Sequence, residues 1–129
     1  MEALIVFNDL TDDIFETVYT PDKGNIEYTG EFLKHLITTY PYKGQKLDIE
    51  NFIKILTLNG YQEDYELDYP DEDEIEEGTI LPNKYVYTVD IKGINTTLTA
   101  YCIDNIKFPA LSELNNYKKI FSTTYKNFK

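Results

Sequence analysis

Residues 62–77 contain ten acidic side chains and no basic one, and few folds can accommodate such a block. A cluster of like charges at this density works against its own folding by self-repulsion. The first part of the block still alternates with apolar positions, which are Tyr61, Tyr65, Leu67 and Tyr69. This alternation predicts a strand with an acidic outer face. Residues 71–77 follow Pro70 as nearly uninterrupted acid and predict an exposed loop.

The chain before this block begins with strand-forming segments. Residues 1–7 are a short apolar run, and residues 14–19 mix Ile, Phe, Glu, Thr, Val and Tyr, so both segments predict strands. Residues 21–24, Pro-Asp-Lys-Gly, predict a tight turn because proline presets φ and glycine supplies the positive φ that closes it. Residues 26–28 are therefore expected to pair back as a hairpin partner.

Two helices are predicted between residues 29 and 60, where the apolar period changes from two to 3.6. The first has its apolar residues at helical spacing and ends at Pro41; they are Phe32, Leu33, Leu36, Ile37 and Tyr40. The second begins at Asp48 as N-cap, with Leu47 placed to pack against Phe52, and ends at Asn59-Gly60, where glycine can take the left-handed conformation. The short loop between them suits an antiparallel pair.

The chain after the acidic block predicts a hairpin and a third helix. Residues 85–91 and 97–103 predict two strands joined by a turn that contains Gly93. Pro109 is placed to open a helix. The apolar face of that helix is expected to hold Leu111, Leu114, Tyr117 and Phe121.

These elements predict one α+β domain over residues 1–129. We expect an antiparallel sheet of about five or six short strands with three helices, mostly packed on one face. A long acidic loop is expected at about residues 70–83, and loops of that length are more often functional or disordered.

Charge excludes several classes of partner. The chain carries 23 acids against 12 bases, a net charge of −11, and has no arginine, so direct binding of nucleic acid or of an anionic membrane is disfavoured. The charge is polarised, because residues 105–129 hold five lysines against one acid. No apolar run approaches the roughly 20 residues of a membrane helix. With one cysteine and no signal-peptide pattern, the expected location is the cytoplasm of a bacterium or of a phage-infected host cell.

No catalytic, metal or cofactor site is predicted. Cys102 falls mid-strand and His35 mid-helix, where a buried thiol and a partly exposed imidazole are ordinary findings. The acidic block lacks the glycine and glutamate positions of a calcium loop, and nucleotide-binding glycine motifs do not occur. We therefore expect a protein that is not an enzyme and needs no cofactor.

The leading hypothesis is an inhibitor that covers a basic, nucleic-acid-binding surface of a partner protein. In general character the chain looks like the small acidic antagonists that phages deploy against restriction or CRISPR nucleases, and strand-spaced carboxylates lie about as far apart as successive phosphates. The expected partner-binding residues are Asp64, Tyr65, Glu66, Asp68, Tyr69, Asp71, Glu72, Asp73, Glu74, Glu76 and Glu77. The acidic N-terminal hairpin is a further candidate part of this interface.

Alternatives stay open from sequence. One is an immunity protein that neutralises a basic toxin nuclease, where acidity would raise the on-rate. Another is a structural or accessory domain whose acidic loop only confers solubility. The lysine-rich C-terminus could also dock on the acidic segment of another copy, which would give a homodimer.

Overall fold

The computed structural model describes residues 3–39, 47–63, 85–102 and 118–126. Within them lie a six-stranded sheet and two α-helices. In chain order the elements are β1 Ala3–Asp9, β2 Ile14–Thr20, a π-helical turn Ile26–Gly30, α1 Glu31–Thr39, α2 Ile49–Leu58, β3 Gln62–Glu63, β4 Tyr85–Lys92, β5 Asn95–Cys102 and β6 Lys118–Lys126. The predicted α+β class is confirmed.

The sheet is mixed, so the expectation of a purely antiparallel sheet is wrong. Its strand order is β3-β2-β1-β4-β5-β6, and β1 runs parallel to β4 while every other neighbouring pair is antiparallel. Parallel neighbours need a crossover connection, and here α1 and α2 lie in the chain between β1 and β4. Strand patterns alone do not show which strand will lie beside β1.

Both helices pack on one face of the sheet, as predicted. The residues that face them alternate along the central strands, and in β1 they are Ala3, Ile5 and Phe7. From α2, the Phe52 ring meets the Phe7 ring edge to face, with centroids 5.3 Å apart. Leu4 and Val6, on the opposite face of β1, are also buried, as expected for an interior strand that lies beside a parallel neighbour.

The helix signals of the sequence correspond to real caps. The Asp48 carboxylate accepts a hydrogen bond from the backbone N–H of Asn51 at 3.3 Å, so this side chain caps α2. At the other end of α2, Gly60 has a φ of +90°, the left-handed conformation predicted from Asn59-Gly60. Leu47 is buried beside the start of the helix.

Residues 26–28 are not a hairpin strand; they belong to the π-helical turn. Buried polar contacts fix this turn against the sheet. The Tyr87 hydroxyl donates to the Gly24 carbonyl at 2.6 Å, and the hydroxyls of Thr29 and Tyr61 lie 2.9 Å apart. These long-range partners satisfy backbone and side-chain groups that a hairpin would have paired locally.

The predicted last helix is wrong at Phe121, which lies in strand β6. β6 pairs antiparallel with β5, and hydroxyls meet across the two strands at Thr97 and Thr124 and at Thr99 and Ser122, each pair 2.9 Å apart. The described residues therefore contain two α-helices where three were predicted. Pro109, Leu111, Leu114 and Tyr117 lie outside the described residues.

The predicted strand after Gly60 is described only at Gln62–Glu63, which forms the short edge strand β3. The acidic loop expected at about residues 70–83 lies outside the described residues. Of the helices in the described ranges, neither is long and apolar enough to cross a membrane.

Candidate functional site

A groove of about 820 Å³ opens between the N-terminal half of α2 and the β2–β3 side of the sheet. It lies on the face of the sheet that carries the helices, because Ile14 and Glu16 have the same strand parity as the buried Val18. The register brings Glu63 beside Val18, so β3 forms the outer wall. Three elements distant in sequence thus form one concave surface.

Aliphatic side chains line the floor of this groove. Leu47, Ile49 and Ile53 come from the start of α2 and are buried, whereas Ile14 from β2 is exposed. The spacing of Ile49 and Ile53, one helical turn apart, puts both on the same side of α2. The floor can therefore take up an apolar group or the aliphatic stem of a long side chain.

Carboxylates form the rim. The lining carboxylates are Asp9, which is buried, and Glu16, Asp48, Glu50 and Glu63, and the single basic lining residue is Lys54. Among the described residues, the carboxylates of Glu16 and Glu50 make no hydrogen bond or ion pair. Within that part of the chain, two carboxylates at the groove thus have no partner.

Two other carboxylates that line the groove accept hydrogen bonds from nearby backbone N–H groups. Asp9 is only 1% exposed, and its carboxylate accepts hydrogen bonds from the backbone N–H groups of Thr11 and Asp12 at 2.9 and 3.1 Å, which shapes the β1–β2 turn. Asp48 caps α2. These carboxylates supply negative potential while they hold the two walls in place.

The electrostatics of the groove favour a cation. The N-terminus of α2 is positive by its dipole, but Asp48 and Glu50 in and before the first turn offset that field. With the remaining carboxylates, the potential in the groove is negative, so phosphate and other anions are disfavoured. A lysine or arginine side chain, which has an apolar stem and a charged head, matches both the floor and the rim.

The β1–β2 turn and the start of β2 carry two exposed apolar side chains, of which Phe15 points to the face opposite the groove because its neighbours Ile14 and Glu16 line the groove. Leu10 is 57% exposed and Phe15 55% exposed, and acidic residues Asp12 and Asp13 lie between them in the chain. The turn is held against the β4–β5 turn, because the Leu10 N–H donates to the Ile91 carbonyl at 2.8 Å. A fixed, exposed mixture of apolar and acidic groups is typical of a surface that binds a protein.

Other reactive side chains are not assembled into a site. His35 is exposed on α1, and Cys102 is a half-buried free thiol at the end of β5. Throughout the described ranges, no group of three or more His, Cys, Asp or Glu side chains could hold a metal ion.

One further carboxyl has an altered environment. Burial raises the pKa of Asp90, and a hydrogen bond from the Asn8 side chain partly opposes that effect. Asp90 and Asn8 are paired in the register of β4 and β1, on the face opposite the helices. This pair is therefore remote from the groove.

All the partner-binding residues predicted from the sequence, from Asp64 to Glu77, lie outside the described residues. The groove wall residue Glu63 directly precedes them in the chain. β1 and β2 contribute Asp9 and Glu16, while Asp48 was predicted from the sequence only as a helix cap and Glu50 was not singled out. Their part in the groove depends on how α2 lies against β2, which has no local sequence signal.

Comparison with known proteins gives no relative for this chain. No family model, no curated protein and no solved structure matches it.

Proposed function

We propose that this protein is an inhibitor that binds and covers a basic, nucleic-acid-binding surface of a partner protein, as phage antagonists of restriction or CRISPR nucleases do. The observation that carries the proposal is the groove, in which five carboxylates surround an aliphatic floor. A surface that binds nucleic acid presents lysine and arginine side chains, and these are the side chains that such a groove accommodates.

The position of the groove supports a larger interface that is also negatively charged. Glu63 forms its outer wall, and the next fourteen residues of the chain contain nine further acids. A partner surface wide enough to hold nucleic acid would meet both regions. The exposed Leu10, in the turn that follows the lining residue Asp9, would add apolar contact beside the groove.

The partner's loss of nucleic-acid binding provides the test. A restriction or CRISPR nuclease bound to fluorescent duplex DNA is titrated with the protein, and we expect the DNA to be released because protein carboxylates occupy the phosphate-binding side chains. Release should weaken steeply as salt rises, since screening acts on the same contacts. A nuclease panel that retains its DNA at low salt would contradict the proposal.

Substitutions test whether the acidic groove causes the release of DNA. Glu16→Gln combined with Glu50→Gln should weaken release by about tenfold or more, because each lost charged contact is worth about 1.5–3 kcal/mol. The matched control is Glu27→Gln, an exposed carboxylate outside the groove lining. A separate variant replaces Asp64, Glu66, Asp68 and Asp71 to Glu74 with Ser. If both groups of variants inhibit as well as the unchanged protein, acidity serves solubility and not binding.

A further inference from the structure

The two edges of the sheet carry opposite charge. At one edge, β3 and β2 form a wall of the acidic groove. At the other edge, β6 carries Lys118, Lys119 and Lys126, all exposed. The molecule therefore presents an acidic concave surface and a basic strand at opposite ends of one sheet.

A bulge in β6 places an apolar side chain beside two of its lysines; residues 118–120 are called the lysine tip below. Ala100 of β5 pairs with Phe121 and Tyr101 pairs with Lys119, so Ile120 is an extra residue with no partner in the register. The Ile120 side chain is 40% exposed and directly follows two exposed lysines. One aliphatic group beside two cations complements a groove with an aliphatic floor and an acidic rim.

The lysine tip cannot reach the groove of its own chain. Neighbouring strands lie about 4.8 Å apart, so the three spacings from β6 to β1, which carries the lining residue Asp9, already amount to roughly 14 Å. A lysine side chain spans only a fraction of that distance. Contact between these two surfaces therefore requires a second molecule.

We propose that, in the absence of another partner, residues 118–120 of a second copy of this chain occupy the acidic groove. Ile120 enters the aliphatic floor. Lys118 and Lys119, whose side chains leave opposite faces of β6, face the carboxylates on the two walls of the groove, Glu16 on β2 and Glu50 on α2. The inference rests on the proposed function in that both use the same groove, and it makes self-association a competitor of partner binding.

The contact joins different surfaces of the two copies, so each bound copy still offers a free groove or a free tip. Such heterologous contacts continue into rings or open chains. Each copy carries a net charge of −11, which opposes association at long range. At about 0.15 M salt the Debye length is about 8 Å, which screens this repulsion more than the direct contacts.

Sedimentation velocity of two complementary variants tests the proposal, with reductant present to exclude disulfide exchange at Cys102. The groove variant carries Glu16→Gln and Glu50→Gln and keeps its lysine tip. The tip variant carries Lys118→Gln and Lys119→Gln and keeps its groove. We expect the unchanged protein to gain mass with concentration and each variant to associate at least tenfold more weakly.

The mixture of the two variants gives the decisive result. The intact tip of one variant fits the intact groove of the other, so a 1:1 mixture should form dimers and nothing larger. Matched controls are Glu27→Gln and Lys92→Gln, which remove one charge of each sign from exposed positions outside the groove and tip. These controls should associate like the unchanged protein.

The inference is overturned if the unchanged protein stays monomeric up to about millimolar concentration, if the variants associate as strongly as it does, or if the mixture forms no dimer. A monomeric protein that still displaces DNA from a nuclease through Glu16 and Glu50 would refute self-association and leave the proposed function standing. Self-association through the groove with no effect on any nuclease would refute the proposed function alone.

Discussion

At the scale of single residues, buried polar side chains decide how the irregular segment between β2 and α1 is held. Tyr87 lies under this segment, and its hydroxyl reaches the Gly24 carbonyl across 63 positions of sequence. Burial raises the pKa of the Tyr87 phenol well above its usual range, as expected where the charged form would be desolvated. This side chain acts as a neutral hydrogen-bond donor at every ordinary pH.

Tyr87→Phe should lower the free energy of unfolding by about 1–3 kcal/mol, because it leaves the buried Gly24 carbonyl without its donor. Urea denaturation followed by circular dichroism measures the change. The matched control is Tyr28→Phe, at a tyrosine of the π-helical turn that is largely exposed, and it should stay within about 0.5 kcal/mol. Equal effects of the two substitutions would show that the hydrogen bond does not hold the segment.

Asp90 should make stability depend on pH in a defined direction. Its pKa is raised in the folded protein by burial, so the folded state binds more protons than the unfolded state between the two pKa values. The contribution of Asp90 to the free energy of unfolding therefore falls as pH rises from the pKa of the unfolded state through the pKa of the folded state. Asp90→Asn removes the charge whose burial causes this fall. The urea midpoint of the variant minus that of the unchanged protein should therefore be larger at pH 7 than at pH 3.

Asn8 provides the check on this assignment. Its side chain donates a hydrogen bond that lowers the Asp90 pKa, so Asn8→Ala should raise that pKa further and enlarge the pH dependence. An Asp90→Asn difference that is the same at pH 3 and pH 7 would contradict the raised pKa.

At the scale of elements, β6 shows that apolar residues four positions apart are compatible with both a helix and a strand. Phe121 and Tyr125 both pack against the core and lie four residues apart. Four residues is close to one helical turn, but it is also an even number, which returns a strand to the same face. The β-branched residues Thr123 and Thr124 between them favour the strand, and this was the available local signal.

A double-mutant cycle distinguishes the strand from the predicted helix. Thr99 and Ser122 face each other across β5 and β6, with their hydroxyls 2.9 Å apart. Thr99→Val and Ser122→Ala should therefore show a coupling energy of about 0.2–1 kcal/mol in urea denaturation. The pair Thr99→Val and Thr123→Ala serves as control, because Thr123 lies on the other face of β6. Additive effects in both cycles would contradict the pairing.

At the scale of the whole molecule, the net charge of −11 acts against compaction and is unevenly distributed. The described structure places part of the excess around one groove, where rim carboxylates outnumber the single lysine. Self-repulsion among fixed carboxylates is a cost that a cationic partner can offset. The same argument predicts that salt stabilises the free protein.

Raising sodium chloride from about 0.05 M to about 0.5 M should raise the thermal midpoint by about 4 °C, which corresponds to about 1 kcal/mol for a domain of this size. Differential scanning calorimetry measures the shift. The Glu16→Gln, Glu50→Gln variant should gain less from salt, because two of the repelling charges are gone. A midpoint that falls with salt would show that attractive ion pairs outweigh repulsion.

The elements whose signals are local could be predicted from the sequence. The periodicity of α1 and α2, the caps of α2, the strands β1 and β2, and the β4–β5 hairpin with Gly93 at a φ of +60° follow from residues within a few positions of one another. The mostly one-sided placement of the helices also follows, since the alternating strands present apolar side chains to be covered.

Three features could not be predicted from the sequence: the parallel pairing of β1 with β4, the π-helical turn and the strand conformation of β6. Each depends on partners distant in sequence, such as Tyr87 for the turn and Thr99 for β6. The groove has the same origin, because its floor and rim come from β1, β2, α2 and β3. Local propensity fixes what a segment can form, whereas long-range packing fixes which segments meet.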